Sequence, residues 1–401
     1  MIELTVNELK AGLSLARSVY RSTGEILLTA GYTLTNEVIE KLKESEQFIF
    51  WVQEPGLEHI LPEELIPEHL YNQAVEELRL NAEHLKKSIN INSENFDYRE
   101  FNVKTFLKSL SNLPDALLAS RITKLGHTLS RELRRVQQPF LLHLASTRNR
   151  GNYLLQHAVD VTIVAICLGR YLQYSEEELE NLAVGTLLMD IGLQALPGDI
   201  AVKAQRLSIH EFNALKEHPN LGFEIIRNST TIPLVCAHVA YQHQERQDGG
   251  GYPRRLTGTN TLPLKQKIND KRSIHRYAEI AAVADAFVSL IKPRPGEKIR
   301  TPVEAIKFLL LAATTQLNAA IVETLIPMIP ILGTGSRVKI IAAPDEKLVG
   351  YTAIVSKSNP AYQELPEITL LYDAHNQWTE HVIINLAENP GYALQQISID
   401  S

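Results

Sequence analysis

The sequence predicts a mainly helical protein, with a helical bundle flanked by a small N-terminal α+β domain and a small C-terminal antiparallel β domain. Apolar residues three and four positions apart fill the middle of the chain, as in amphipathic helices. Helix-starting motifs recur in the same stretch, whereas short alternating apolar patterns separated by turns occupy both ends. With 401 residues, the chain is long enough for two or three domains.

The composition is that of a globular protein. Apolar residues make up 44% of the chain and charged residues 21%, which excludes wholesale disorder. The net charge of −6 gives no general attraction to DNA or to anionic membranes, so phosphate binding requires a local site. Only two cysteines are present, Cys167 and Cys236, which favours a reducing compartment. Because no signal-peptide pattern or membrane-spanning apolar run is evident, we expect a soluble, cytoplasmic protein.

Residues 1–55 are predicted to form a small N-terminal β-rich domain. Its strand candidates are 13–20, 26–29 and 48–52. A turn at Ser22–Gly24 and a helical pattern at 35–46 lie between them. Residues 56–140 follow as a helical linker or regulatory region, with helices near 71–88 and 116–137. Two interpretations stay open, since these helices either relay a signal or dimerise, or they pack on the next domain.

Residues 141–330 are predicted to be all helical, because three capping boxes mark helix starts there. The boxes are Ser175 with Glu178, Ser208 with Glu211 and Thr301 with Glu304. Thr231–Pro233 is predicted to open another helix. The predicted helices are 152–173, 176–190, 209–217, 220–228, 232–245, 275–291, 302–312 and 315–326.

Residues 331–401 change to alternating apolar patterns, which predict a small C-terminal antiparallel β domain. Its strand candidates are 338–342, 351–356, 368–372 and 381–384. A turn at 373–377 separates the last two candidates.

Five residues on or beside predicted helices form a candidate metal centre. They are His157, Asp190, His218, His243 and Asp285. Both aspartates lie in apolar runs, so each carboxylate needs a cationic or metal partner. Inward carboxylates and imidazoles in a helical bundle are a common way to build a two-metal site, and mixed nitrogen and oxygen ligands suit iron, manganese or zinc. A single histidine is more often an ordinary surface or core residue, so the prediction depends on all five together.

Several segments of residues 150–330 carry motifs that occur together in one family. They are Gln156-His157, Met189 to Leu193 (MDIGL), Lys216 to Pro219 (KEHP), His243 to Pro253 (HQERQDGGGYP), Val283 to Asp285 (VAD) and Lys292 to Lys298 (KPRPGEK). These motifs resemble those of the HD-GYP family, a branch of the HD metal-dependent phosphohydrolases. The resemblance implies a helical bundle with a bi- or trinuclear metal centre that hydrolyses cyclic di-GMP. The glycine-rich GYP loop is its most specific motif.

The resemblance also implies which residues bind each metal. Asp190 would be shared by both metals and act in catalysis. The first metal would add His157, Asp285 and residue 189. The second would add His218, His243 and residue 244.

This sequence departs from the family at two of those ligand positions. Met189 offers a weak thioether and Gln244 a neutral carbonyl oxygen where the family has histidines. Each half of the centre therefore keeps three good ligands, which is still sufficient for one catalytic metal. A two-metal clamp on the reacting phosphate is impaired. The expected cofactor is one or two divalent iron, manganese or zinc ions at reduced occupancy.

The substrate-binding groups are also reduced in number. Leu193 replaces a family lysine, and Glu297 replaces a basic residue. We expect Arg294 to be the main phosphate-binding residue, because arginine can bind phosphate in a bidentate manner. The other expected contacts are Lys298, Tyr252 and Gly251. The basic run Lys265, Lys267, Lys271 and Arg272 is most often a solvated loop, although it can add phosphate contacts.

Three functions are consistent with the sequence. The first is a degenerate signalling module that binds cyclic di-GMP, a related cyclic dinucleotide or a partner protein, with weak or no hydrolysis. The second is an active phosphodiesterase with one metal, and the third is a pure interaction scaffold. A protein partner at the GYP loop and a homodimer are further expectations. Replacement of a missing ligand by His210, His238 or His275 is left open, with His238 disfavoured because it points away from His243 on their helix.

Overall fold

The computed structural model describes most of the chain. The residues outside the description are 1, 21–25, 44–48, 54–55, 58–59, 61–64, 90–95, 111–115, 137–151, 198–199, 204–205, 265–271, 295–296, 360–361 and 398–401. The predicted turn at Ser22–Gly24 lies outside the described residues, as do Lys265, Lys267 and Lys271.

The middle of the chain is a helical bundle, as predicted. Its helices are α2 (Glu68–Ile89), α3 (Val103–Leu110), α4 (Ala119–Arg135), α5 (Tyr153–Tyr171), α6 (Glu176–Leu187), α7 (Ile191–Gln194), α8 (Ile209–Leu215), α9 (His218–Arg227), α10 (Leu234–Gln242), α11 (Arg276–Ile291), α12 (Pro302–Ala312) and α13 (Ala319–Leu325). The helices α3 and α7 were not predicted, because neither begins with a capping box of the kind that marks the seven-residue helix α8.

The three predicted capping boxes are all formed. The backbone N–H of Ser175 donates to Glu178 Oε2 at 2.7 Å, and Ser175 Oγ accepts from the Glu178 N–H at 3.3 Å. Ser208 and Thr301 make the same reciprocal pairs and start α8 and α12. The helix expected to open at Thr231–Pro233 begins at Leu234 instead. Pro233 adopts an extended conformation at the N-cap, and no side-chain hydrogen bond caps this helix.

Helix α5 lies at the centre of the bundle. Helices α2 and α4 belong to the same apolar core as α5 and α6. Gly126 of α4 approaches Val184 so closely that an added Cβ would lie 2.7 Å from Val184 Cγ2. The linker helices therefore pack on the following bundle, which favours the second of the two interpretations. A relay or dimerising role for them stays a prediction.

Among the described residues, α5 is the one helix whose length and hydropathy would suit a membrane span. No run of that kind was expected from the sequence. In the fold, 72% of the 18-residue apolar stretch of α5 is buried inside the protein. That burial is typical of the core helix of a globular bundle.

Two small β units lie at the ends of the described chain. The N-terminal unit contains β1 (Ile2–Thr5), β2 (Ser14–Leu15), β3 (Val19–Tyr20), β4 (Ile26–Leu28), α1 (Asn36–Lys43) and β5 (Ile49–Gln53). Its sheet has the order β1-β5-β2, and β3 pairs with β4. The C-terminal unit contains β6 (Arg337–Ala342), β7 (Thr352–Lys357), β8 (Glu367–Tyr372), β9 (Ile383–Asn385) and β10 (Ala393–Gln396). These strands form an antiparallel sheet in the order β10-β6-β7-β8-β9, so the mainly α class with flanking β units is confirmed.

The two β units share an apolar core. Ile354 of β7 and Leu371 of β8 belong to the cluster that contains Leu15 and Phe50 of the N-terminal unit. Neighbouring residues on β7 and β8 face a separate C-terminal cluster, as the alternation of side chains along strands requires. Arg337 also pairs with Glu8 at 2.9 Å. The C-terminal sheet is therefore covered on one face by the N-terminal unit.

Candidate metal centre

The structure brings the predicted metal ligands to one end of the bundle from five different elements. His157 is one turn into α5, Asp190 is the N-cap of α7 and His218 is the first residue of α9. His243 is the C-cap of α10, and Asp285 lies in the middle of α11. All are buried or mostly buried.

Asp190, His218 and His243 form a compact cluster whose potential ligand atoms lie within 4.8 Å of one another. Asp190 Oδ1 is 3.5 Å from Nε2 of each histidine, and the two Nε2 atoms are 3.1 Å apart. Nδ1 of His218 lies 2.7 Å from the Leu215 carbonyl oxygen, and Nδ1 of His243 lies 3.0 Å from that of Ala240. These contacts direct both Nε2 atoms into the cluster, as in metal-binding histidines.

A close contact between α7 and α9 sets the position of Asp190. A Cβ added to Gly192 would lie 2.0 Å from the His218 carbonyl oxygen and 2.8 Å from the Gly222 nitrogen. Only glycine permits this approach, which holds the start of α7 against the start of α9. The glycine of the MDIGL segment is thus a structural requirement of the cluster.

His157 and Asp285 form a second, adjacent pair. His157 Nε2 lies 2.7 Å from Asp285 Oδ1, which also accepts a hydrogen bond from Ser289 Oγ at 3.3 Å. The predicted need of Asp285 for a partner is therefore met within the protein. The ring of Tyr153, one turn earlier on α5, stacks on His157 with centroids 5.7 Å apart.

The electrostatics of the cluster favour a cation. Burial opposes ionisation of Asp190, but the hydrogen bond from His243 and the charges of His243 and His218 hold its pKa well below the usual range. Burial and the charge of His243 lower the pKa of His218 to about 4. Burial opposes the protonation of His243, but Asp190 raises its pKa overall. An ionised Asp190 and a neutral His218 fit the donor set that a divalent metal requires, and metal binding would displace the proton that Asp190 favours on His243.

The substituted positions add no ligand to this cluster. Met189 is fully buried among apolar core residues, and Leu193 belongs to the same core. Gln244 Oε1 accepts a hydrogen bond from the Tyr252 hydroxyl at 3.2 Å. In the part of the chain that the structure describes, Asp190, His218 and His243 are the only group of three such donors close enough to hold a metal.

None of the open replacement histidines joins the cluster. His275 caps α11, its Nδ1 accepting from the Tyr277 N–H at 3.2 Å. His238 stacks on His275 with ring centroids 5.4 Å apart, which agrees with the expectation that it points away from His243. His210 lies exposed on α8.

The GYP loop is fixed against the centre by buried contacts. Glu245 accepts hydrogen bonds from the N–H groups of Arg254 and Leu256 at 2.7 and 2.8 Å. A Cβ on Gly251 would lie 2.5 Å from Glu245 Cα, so this position also requires glycine. The Tyr252 ring meets His218 edge to face at 6.3 Å, and the Tyr252–Pro253 peptide bond is cis. The loop thus places an aromatic ring beside the candidate metal ligands.

In the basic segment after α11, two of the described cations form ion pairs with carboxylates. Lys292 Nζ donates to buried Asp160 at 2.8 Å, and Lys298 pairs with Glu304 at 3.2 Å. Arg294 and Glu297 are exposed. Arg294 lies close enough to Tyr153 to oppose the rise that burial causes in the pKa of that phenol. Arg294 is therefore on the His157 side of the centre.

Two residues on the helix that carries His157 were not among the predicted site residues. Tyr153 and Asp160 lie four residues before and three residues after His157, so all three share one face of α5. That spacing was the available signal. It was hidden because nearly every residue of α5 is apolar or buried, which leaves no distinct polar face.

The helical part of this chain is similar to known proteins. Residues 137–321 match the family model described as HD domain. A cyclic di-GMP phosphodiesterase response regulator, RpfG of Xanthomonas campestris, is 34% identical over 147 residues, covering 36% of this chain and 35% of that protein. The helical domain belongs to the HD-GYP family.

Two further relatives match the HD-GYP domain. The cyclic di-GMP phosphodiesterase PA4108 of Pseudomonas aeruginosa is 28% identical over 42% of this chain and 37% of its own length. The 3'3'-cGAMP-specific phosphodiesterase 2 of Vibrio cholerae is 27% identical over 46% of this chain and 34% of its own length. The chain thus spans about a third of the length of these relatives. The solved structure of Bd1817, an HDG"Y"P protein from Bdellovibrio bacteriovorus, aligns with a TM-score of 0.39 at 16% identity over 81% of this chain and 98% of that chain.

Proposed function

We propose that the HD-GYP domain binds a cyclic dinucleotide at a centre with one divalent metal, and that it hydrolyses this ligand weakly or not at all. The observation that carries the proposal is the cluster of Asp190, His218 and His243, in which the described residues bring together three carboxylate and imidazole donors and no fourth. The names of the similar proteins, phosphodiesterases of cyclic di-GMP or 3'3'-cGAMP, indicate the ligand class.

The two halves of the centre differ in the donor groups that they offer to a metal ion. One carboxylate and two imidazoles suit iron, manganese or zinc, with an open coordination position. A metal bound there would act as a Lewis acid toward a phosphoryl oxygen. In the other half, His157 Nε2 already contacts Asp285, and Met189 lies in the apolar core. That half therefore lacks the imidazole that would complete a second site.

Ligand contacts are proposed for residues around the cluster. Arg294 is exposed beside Tyr153, where its guanidinium can bind a phosphate through two parallel hydrogen bonds. Gly251 and Tyr252 bring the GYP loop against the bound ligand. Lys298 is assigned a weaker contact, because Glu304 already offsets its charge.

The proposal is tested on one preparation, expressed with iron and manganese and purified without oxygen. We expect about one metal per chain by elemental analysis, measurable binding of cyclic di-GMP or 3'3'-cGAMP by calorimetry, and turnover far below about 1 per second. Asp190→Asn should lose the metal, since it removes the only anionic donor of the cluster. Glu211→Gln, a change in a remote capping box, is the control and should keep it.

An active one-metal phosphodiesterase is the second candidate. It is favoured by the open coordination position of a three-donor cluster, which is the usual form of a catalytic zinc site. Turnover of order 1 per second that disappears in Asp190→Ala would establish it in place of weak hydrolysis. Absence of binding to either cyclic dinucleotide would leave the interaction scaffold.

The remaining expectations are also proposals. A protein partner at the GYP loop and a homodimer are inferred from the exposed loop and from the family. A cytoplasmic location is inferred because Cys167 and Cys236 are both free and buried.

A further inference from the structure

Two of the cations around the centre are already neutralised. Lys292 is held by buried Asp160, and Lys298 is paired with Glu304. Leu193, at the position of a family lysine, lies in the apolar core. Arg294 makes no ion pair within the described residues, so it is available to a phosphate on the His157 side of the centre.

Lys216 is a second cation without an ion pair among the described residues, and it lies on the His218 side of the centre. It is the C-cap of α8, two residues before His218. Its Nζ lies 5.1 Å from the centroid of the Tyr252 ring and 5.5 Å from that of Phe212. Across the described parts of the chain, no carboxylate pairs with it. The ammonium is thus held by two aromatic rings without loss of its net charge.

The same contacts tie Lys216 to the metal ligands. The Tyr252 ring under the ammonium meets His218 at 6.3 Å, and its hydroxyl donates to Gln244 at 3.2 Å. Gln244, at a family histidine position, therefore orients the ring that holds Lys216. One aromatic ring separates this cation from the Asp190–His218–His243 cluster.

We propose that Lys216 is a phosphate-binding residue, which supplies from α8 the positive charge that position 193 lacks. This inference rests on the proposed function. A cyclic dinucleotide carries two phosphates, and among the described residues Arg294 near Tyr153 and Lys216 over the Tyr252 ring are two cations without an ion pair. The three N–H donors of a lysine ammonium contact phosphate oxygens without a fixed geometry, which suits a mobile cation held over a ring.

The test compares Lys216→Met and Lys216→Arg with the wild-type protein. Calorimetric affinities for cyclic di-GMP and 3'3'-cGAMP are measured at low and high salt, with metal content and melting temperature for each variant. Lys216→Met should weaken binding about tenfold, because a charge-assisted hydrogen bond is lost. Lys216→Arg should bind within about threefold of the wild type, since the charge remains. The difference in affinity between Lys216→Met and the wild type should be smaller at high salt, because salt screens the charge of Lys216.

The matched control is Lys203→Met. Lys203 also contacts α8, but it pairs with Glu211 at 2.6 Å, so its loss should leave affinity unchanged. If Lys216→Met binds like the wild type, or if Lys216→Arg is as weak as Lys216→Met, Lys216 is not the phosphate-binding cation. If the wild type binds neither dinucleotide, the proposed function fails together with this inference.

Discussion

At the scale of single residues, Asp190 connects the two halves of the centre. Its Oδ1 lies 3.5 Å from both cluster histidines, and its charge also helps to raise the pKa of His157. The five candidate donors could be proposed from sequence, because their motifs and apolar surroundings are local features. Which of these residues contact one another could not be predicted from sequence. The pairing of His157 with Asp285, beside the cluster, depends on how α5 and α11 pack.

A residue-scale prediction concerns Met189. Met189→Leu should leave the metal content per chain unchanged, because the thioether packs in the apolar core. The free energy of unfolding should change by less than about 1.5 kcal/mol, as for other swaps of similar volume in a core. Elemental analysis and urea unfolding measure the two quantities. Metal loss in folded Met189→Leu, matching that of Asp190→Asn, would show that the sulfur is a ligand.

The pairing of Lys292 illustrates a limit of sequence reasoning at this scale. The segment Lys292–Lys298 matched a basic family segment, which suggested a set of phosphate contacts. In the structure, Lys292 forms an ion pair with Asp160, a residue 132 positions earlier in the chain. A partner so distant cannot be inferred from spacing, and the same holds for the aromatic contacts of Lys216.

At the scale of elements, helix α11 depends on an unusual cap. His275 Nδ1 accepts from the Tyr277 N–H, and the His275 backbone N–H donates to Gln242 Oε1 at 2.6 Å. Burial, with the nearby charges of His238 and Arg276, lowers the pKa of His275 from 6.5 to about 3. The cap needs neutral imidazole, because a protonated Nδ1 cannot accept a hydrogen bond.

The element-scale prediction follows from the sign of that shift. The folded state disfavours protonated His275, so its contribution to stability is complete above the unfolded pKa of 6.5 and is lost as pH falls toward 3. His275→Asn keeps a capping side chain that does not titrate. Urea unfolding between about pH 7 and pH 4 should therefore show a shallower decline in this variant. Parallel declines would place the acid sensitivity elsewhere, for example at His238, whose pKa burial also lowers.

The predictability of the elements depended on their length. The eight helices predicted between 152 and 326 all exist, because capping boxes and long apolar patterns are strong local signals. The missed elements are short, such as the four-residue helix α7 and the strands β1 and β10. Helix α7 forms because the Gly192 contact holds it against α9, which is a tertiary cause absent from any local pattern.

At the scale of the whole molecule, the two β units act as one structural body. Leu371 is buried in the cluster that contains Leu15 and Phe50, although it belongs to the C-terminal sheet. Leu371→Ala should lower the free energy of unfolding by about 2–5 kcal/mol, the usual cost of a buried Leu to Ala change. Hydrogen exchange should speed up in β1 and β5 as well as in β8, while α5 stays protected.

The control for this prediction is Ile341→Ala on the same sheet. Ile341 is 51% exposed, so its truncation should change stability by less than about 0.5 kcal/mol. Faster exchange confined to the C-terminal strands of Leu371→Ala would show that the two units are energetically independent.

The shared apolar core of the β units has a consequence for synthesis on the ribosome. Strands β1 to β5 are synthesised before Ile354 and Leu371, which cover their core and lie about three hundred residues later in the chain. The helical bundle between them has its own apolar core and can fold during that interval. The nascent N-terminal unit therefore has an incomplete core during that interval, and its exposed apolar residues are open to aggregation or chaperone binding.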